Sequence, residues 1–146
     1  MLRKFLVVLS CTVSVLALPA ASLRAAPTDA ERAEVCAEAD ARYQQAFGKA
    51  RKDEPVKTVL MYKDVFCPTA LTVTQGETVR WINLDKRTSH SVWFRDAGKD
   101  ESDRIFSEEK VEMKFDFPPG EYPYLCGPHW ESAGMIGKVT VKEKSP

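Results

Sequence analysis

YPYLCGPHWESAGMIGKVTV, Tyr122 to Val141, sets one thiol, one imidazole and one thioether in a single short loop between two strand-like runs. Two residues separate Cys126 from His129, five more precede Met135, and the only other histidine, His90, lies upstream in SHSVWF, Ser89 to Phe94. Two imidazoles and a thiolate make a trigonal donor set to which a thioether adds a weak axial ligand, the ligand field of an electron-transfer copper centre. Both histidines of the chain are consumed by it.

Other chemistries fit the same residues less well. A structural zinc site wants four strong thiolate or imidazole donors in paired spacing, and the loop offers two strong donors and a poor one. A Cys–His nucleophilic pair lacks an Asn, an Asp or an oxyanion element in a recognisable place. A dinuclear copper centre requires a second cysteine in the loop, which is absent. Gly127-Pro128 removes one amide donor beside the sulfur, because proline carries no N–H. The pair either tunes the site or simply makes the turn.

The loop, His90 and the run TALTVTQGETVRWIN, Thr69 to Asn83, together resemble the plastocyanin and pseudoazurin branch of the cupredoxins over roughly residues 56–143. The resemblance implies an all-β fold, a Greek-key β-sandwich holding one type 1 copper ion at one end. It implies that His90 is the first imidazole ligand, Cys126 the thiolate, His129 the second imidazole and Met135 the axial thioether. Two departures stand out: five residues instead of four separate His129 from Met135, and Ser91 follows His90 where an asparagine commonly ties the two ligand loops together.

The first 25 residues carry Arg3 and Lys4, an apolar run from Phe5 to Leu18 and then small residues, the layout of a secretory signal peptide cleaved after Ser22, Ala25 or Ala26. The apolar run is short for a retained anchor, and Cys11 is poorly placed for lipidation. Export implies a periplasmic location and no stable membrane insertion after cleavage. Removing residues 1–25 takes away Arg3, Lys4 and Arg24 and no acids, so 21 bases become 18 against 21 acids. No basic stripe interleaved with aromatics points to nucleic acid. With Cys11 in the leader and Cys126 at the metal, Cys36 and Cys67 remain. In an oxidising compartment such a pair reads as a disulfide, the alternative being two separate buried thiols.

The layout is a signal peptide over 1–25, a helical extension over 26–52 and the sandwich domain over 53–146. Thr28-Asp29-Ala30-Glu31 has the form of a capping box, and Cys36, Ala39, Tyr43, Ala46, Phe47 and Ala50 recur on one face, predicting an extra N-terminal helix from Asp29 to Phe47 ended by Gly48. That helix either covers a sheet edge or meets a partner. Beyond Val56 the period falls to two, with strands expected at Val56–Tyr62, Ala70–Thr74, Thr78–Asn83, Ser91–Phe94, Lys110–Phe117, Glu121–Cys126 and Gly137–Lys142. Met61 and Met113 sit in alternating apolar runs as core residues, and the charged loop Arg95 to Arg104 reads as solvated surface.

The function implied is an exported, monomeric carrier, not an enzyme, that passes one electron between redox proteins such as c-type cytochromes or periplasmic oxidoreductases. A copper carrier or storage protein would use the same ligands, but it benefits from exposed and repeated Met or His donors, and this chain has one compact set. In the resembled fold the second imidazole reaches the surface, which makes His129, collared by Pro128, Trp130, Ala133 and Gly134, the expected point of electron entry. Trp130 either belongs to that collar or points into the core.

Overall fold

The computed structural model of the chain describes residues 26–144; the signal-peptide reading and Cys11 lie outside the described residues. Helix α1, Asp29–Phe47, opens on the capping box: Thr28 N–H donates to Glu31 Oε2 at 2.7 Å and Glu31 N–H returns to Thr28 Oγ1 at 3.3 Å. It ends where Gly48, at φ 70°, donates its N–H to Gln44 O. Two sheets follow. One has the strand order β2 (Val65–Cys67), β1 (Lys57–Tyr62), β4 (Thr78–Asn83), β5 (Lys110–Lys114); the other runs β3 (Ala70–Thr74), β7 (Ile136–Lys142), β6 (Gly120–Leu125). Both are mixed, since β1 lies parallel to β4 and β3 parallel to β7.

Strand β1 is buried continuously from Thr58 to Tyr62, and the period of two explains how. Val59 and Met61 point between the sheets, where they meet Phe66, Val79, Trp81, Phe115, Tyr124 and Val139. Leu60 and Tyr62 point the other way and pack with Ala39 and Tyr43 of α1, Val65, Cys67, Ile82 and Leu84. The helix, for which the sequence left a sheet edge or a partner as alternatives, covers a face of the first sheet and gives that sheet a second apolar layer. Its buried stripe is narrower than the periodicity implied: Ala46 is exposed and Phe47 is 37% exposed.

Polar contacts fix the helix against its sheet. Tyr43 donates its hydroxyl proton to Glu54, whose buried carboxylate also pairs with Arg80 and Lys49. Arg51 holds Asp40 in a two-pronged ion pair at 2.6 and 3.0 Å. Cys36 and Cys67 form a disulfide, with Cys67 closing β2 opposite Leu60.

Besides the strand expected over Lys110–Phe117, which ends at Lys114, two elements differ from the sequence reading. β2 was not predicted: it has three residues, and its hairpin turn uses Lys63 and Asp64 at φ 47° and 58° without the glycine that usually signals such a turn. Conversely, Ser91–Phe94 forms no strand. The stretch from His90 to Phe94 makes only single bridges to two different partners, His90 with Ile105 and Trp93 with Leu125, so no ladder propagates. Among the described residues no helix is long and apolar enough to cross a membrane.

The disulfide closes a sequence separation of 31 residues, and loop-closure entropy assigns it about 3–4 kcal/mol. A Cys36→Ala and Cys67→Ala double variant is expected to lose stability on that scale in urea unfolding, while non-reduced peptide mapping of the parent protein recovers the two cysteines linked.

Candidate metal centre

Cys126 immediately follows β6, His129 opens a single helical turn, α2 (Trp130–Ala133), and Met135 immediately precedes β7. Gly134, at φ 65°, stops the turn, and Cys126 N–H donates to Met135 O at 3.1 Å. The turn takes up the additional residue of this loop: the backbone of Met135 returns to Cys126 despite the five-residue spacing. Met135 is fully buried in the inter-sheet core beside Cys126.

His90 arrives from a different segment. Its backbone exchanges two hydrogen bonds with Ile105, at 3.1 and 2.8 Å, and three residues on Trp93 exchanges two with Leu125, at 2.9 and 3.0 Å. The strand leading to Cys126 and the segment carrying His90 are thereby held in one register. Buried Asn83 braces the connecting loop by donating to Thr88 O and Ile105 O and accepting from Asp85 N–H.

These elements bring His90, Cys126 and His129 together, with Met135 packed in the same core as Cys126. Cys126 Sγ lies 3.5 Å from His90 Nδ1 and 3.3 Å from His129 Nδ1, and the two Nδ1 atoms are 3.2 Å apart. A point equidistant from all three is about 1.9 Å from each, close to a metal–imidazole bond and within relaxation of a metal–thiolate bond. The donors are soft sulfur and imidazole in a near-equilateral triangle, a set that suits copper in both its oxidation states. His90 and Cys126 are fully buried, whereas the His129 side chain is 19% exposed.

Acidic residues that the sequence reading passed over stand behind the imidazoles. Asp85 Oδ2 accepts from His90 Nε2 at 2.8 Å, which directs Nδ1 at the sulfur, and the same oxygen accepts Lys63 N–H at 3.0 Å. Asp64, next in the hairpin turn, approaches His129 Nδ1 to 3.6 Å. Lys63 Nζ also pairs with Glu38 of α1 at 2.6 Å, so the N-terminal helix is linked to His90 through one turn and one carboxylate. The only cue in the sequence for Asp85 is a carboxylate five residues before a candidate ligand histidine, which is too common to single out.

Two facing nitrogens at 3.2 Å cannot both carry protons, and their surroundings divide the roles. Burial pulls His90 down, but hydrogen bonds with Asp85 and Cys126 outweigh it and raise the imidazole to about 9. Burial lowers His129, with Asp64 opposing and His90 and Arg104 reinforcing the shift.

A two-sheet sandwich with a Cys and two His converging from two loops at one end defines a cupredoxin. The pattern described as "Copper binding proteins, plastocyanin/azurin family" matches residues 58–142, and the chain belongs to that family. Plastocyanin of Synechococcus sp. is 41% identical over 88 residues, covering 53% of this chain and 63% of that protein. Plastocyanin of Nostoc punctiforme is 34% identical over 92 residues, with 53% and 64% covered. The chain thus spans somewhat less than two thirds of these relatives. Among solved structures, an oxidised amicyanin variant superposes with a TM-score of 0.54 at 28% identity, covering 62% of this chain and 85% of that one. The N-terminal helix lies outside the family match.

The raised His90 value gives the metal-free fold a pH signature. A histidine shifted from 6.5 to about 9 stabilises the native state fully below the unfolded value and loses that contribution as pH rises through the folded one. Metal-free protein is expected to weaken between about pH 6.5 and pH 9, and Asp85→Asn to flatten that slope in urea unfolding series.

Proposed function

We propose that the chain is an exported type 1 copper protein that carries single electrons between redox proteins. His90, Cys126 and His129 would hold the metal, with Met135 as a weaker thioether donor. The observation that carries the reading is the triangle of one sulfur and two Nδ1 atoms, already closed to bonding dimensions. Copper bound there would supply one-electron chemistry, with no substrate bond made or broken. The chain's own task is to keep the donors still, so that little rearrangement accompanies oxidation or reduction. Burial of His90 and Cys126, the Asp85 hydrogen bond and the Trp93–Leu125 pair all serve that end. The same burial argues against rapid metal hand-off, and so against a storage or delivery role.

The half-buried edge of His129 is the shortest path between the site and solvent. Around it lie Pro128, Trp130, Ala133 and Gly134, all partly accessible. Trp130 does not enter the buried core; Arg95 stacks its guanidinium 5.0 Å from the Trp130 ring and 5.7 Å from that of Trp93. The collar is thus aromatic with one cation upon it. A small surface of this kind permits brief contacts with a partner such as a c-type cytochrome. Cleavage of the leader in the exporting cell, with the mature protein working as a monomer in the periplasm, completes the proposal.

Copper-loaded protein is expected to show the intense visible thiolate-to-copper band, and Cys126→Ser to abolish it while circular dichroism stays that of the folded sandwich. A colourless loaded parent protein would overturn the reading. Met135→Leu should keep the colour and raise the reduction potential, since an axial thioether is weak; an unchanged potential removes Met135 from the ligand set.

Trp130→Glu should slow reduction by a c-type cytochrome in stopped-flow measurements and leave the potential nearly unmoved. Unaltered kinetics would take Trp130 off the contact face.

A further inference from the structure

The charged loop Arg95 to Arg104 looks solvated in the sequence, yet one of its acids is turned toward the metal loops. Ser102 N–H donates to Val92 O at 3.0 Å and Val92 N–H donates to Ser102 Oγ at 2.9 Å, which lays the loop along the segment carrying His90. The neighbouring Glu101 then reaches Ser91. Its Oε1 accepts the Ser91 hydroxyl proton at 2.6 Å, and Ser91 Oγ in turn accepts the Gly127 N–H at 2.9 Å. Ser91 is fully buried; it follows His90, as Gly127 follows Cys126.

The space confirms the intimacy of the contact. A Cβ on Gly127 would stand 2.0 Å from Glu101 Oε1 and 2.5 Å from its Cδ, so the carboxylate fills the room that any other residue at 127 would need. Gly127 does not have a positive φ. A side chain at 127 would displace the neighbouring carboxylate without straining the backbone.

We propose that Glu101 is a positioning residue for the copper site, fixing the two ligand loops to each other through Ser91 and placing a carboxylate beside the chain of the thiolate. The inference rests on the copper reading above. A serine hydroxyl has one proton and rotates freely among acceptors. Committing that proton to a carboxylate, in a charge-assisted bond, turns the oxygen lone pairs toward the Gly127 amide. Serine and glutamate together thus do what a single longer amide side chain does where the loops are tied directly. The charge has its own consequence: an anion near the site favours the more positive, oxidised state and lowers the potential. Arg104, 3.9 Å from the same Oε1 and half-exposed, tempers this without cancelling it.

The test uses the full chain, metal-free and copper-loaded, in four forms: Glu101→Gln, Glu101→Ala, Gly127→Ala and the Glu101→Ala, Gly127→Ala pair. Glu101→Gln keeps an acceptor and drops the charge, so the potential should rise while Gly127 amide exchange in the metal-free protein stays protected. Glu101→Ala should raise the potential and speed that exchange about tenfold, the factor that one net hydrogen bond commands. Gly127→Ala should evict the carboxylate and match Glu101→Ala, and the pair should add nothing further. Unchanged exchange and potential in Glu101→Ala overturn the proposal, as does full additivity of the pair. Faster exchange with an unmoved potential also overturns it, since that is what a purely structural contact produces. Loss of the visible band in the parent protein would refute the copper reading, whereas Gly127 exchange reports on the relay without metal.

Discussion

The pair of backbone hydrogen bonds between Trp93 and Leu125 is the constraint on which the rest depends. The first sheet and the loop that leaves it deliver one histidine; the second sheet delivers the cysteine and the other histidine. Nothing in either sheet's own ladder relates the two. A single antiparallel bridge sets their register, placing His90 three residues before one end and Cys126 one residue beyond the other. Because the bridge does not extend into a ladder, the chain beyond it is free to turn aside and aim its side chains at a common point.

The convergence is asymmetric in a useful way. His90 is sealed in the interior and oriented by a carboxylate, so its ring has one arrangement. His129 sits at the mouth of the site, next to a helical turn and an aromatic collar, and offers an edge to the outside. One imidazole therefore carries the demand for rigidity and the other the demand for access. Carboxylates around the pair, Asp85 and Asp64, lie in the loops closest to the rings and bias the electrostatics toward cationic states of the site.

How much of this could be read from the chain depends on how rare each signal is. Cys126, His129 and His90 were legible because the chain has only two histidines and one sits beside a cysteine. The helix was legible because both of its ends carry capping chemistry that acts within three or four residues. Asp85 and Glu101 were not, since a carboxylate in a charged loop looks the same whether it faces water or a ligand, and only tertiary register decides. β2 escaped for a related reason: its turn adopts left-handed conformations with Lys63 and Asp64, residues that do not advertise them. The Ser91–Phe94 segment has the composition of a strand and the burial of one, but it is bridged only singly, to Leu125 of the second sheet on one side and, through His90, to an irregular loop at Ile105 on the other, a fact no local pattern encodes.

The first sheet also separates two kinds of sulfur. Cys67 points to its outer side, into the layer under the helix, where it joins Cys36. Cys126 lies on the inner side, within the core between the sheets. Among the described residues three cysteines have three ways to pair, and two of them would consume the sulfur of the candidate metal site. Once β1, β2 and β4 have assembled, a wall of side chains stands between Cys126 and the other two. The architecture thereby works as a partition that lets one sulfur chemistry go to completion while keeping the third thiol in reserve for a metal.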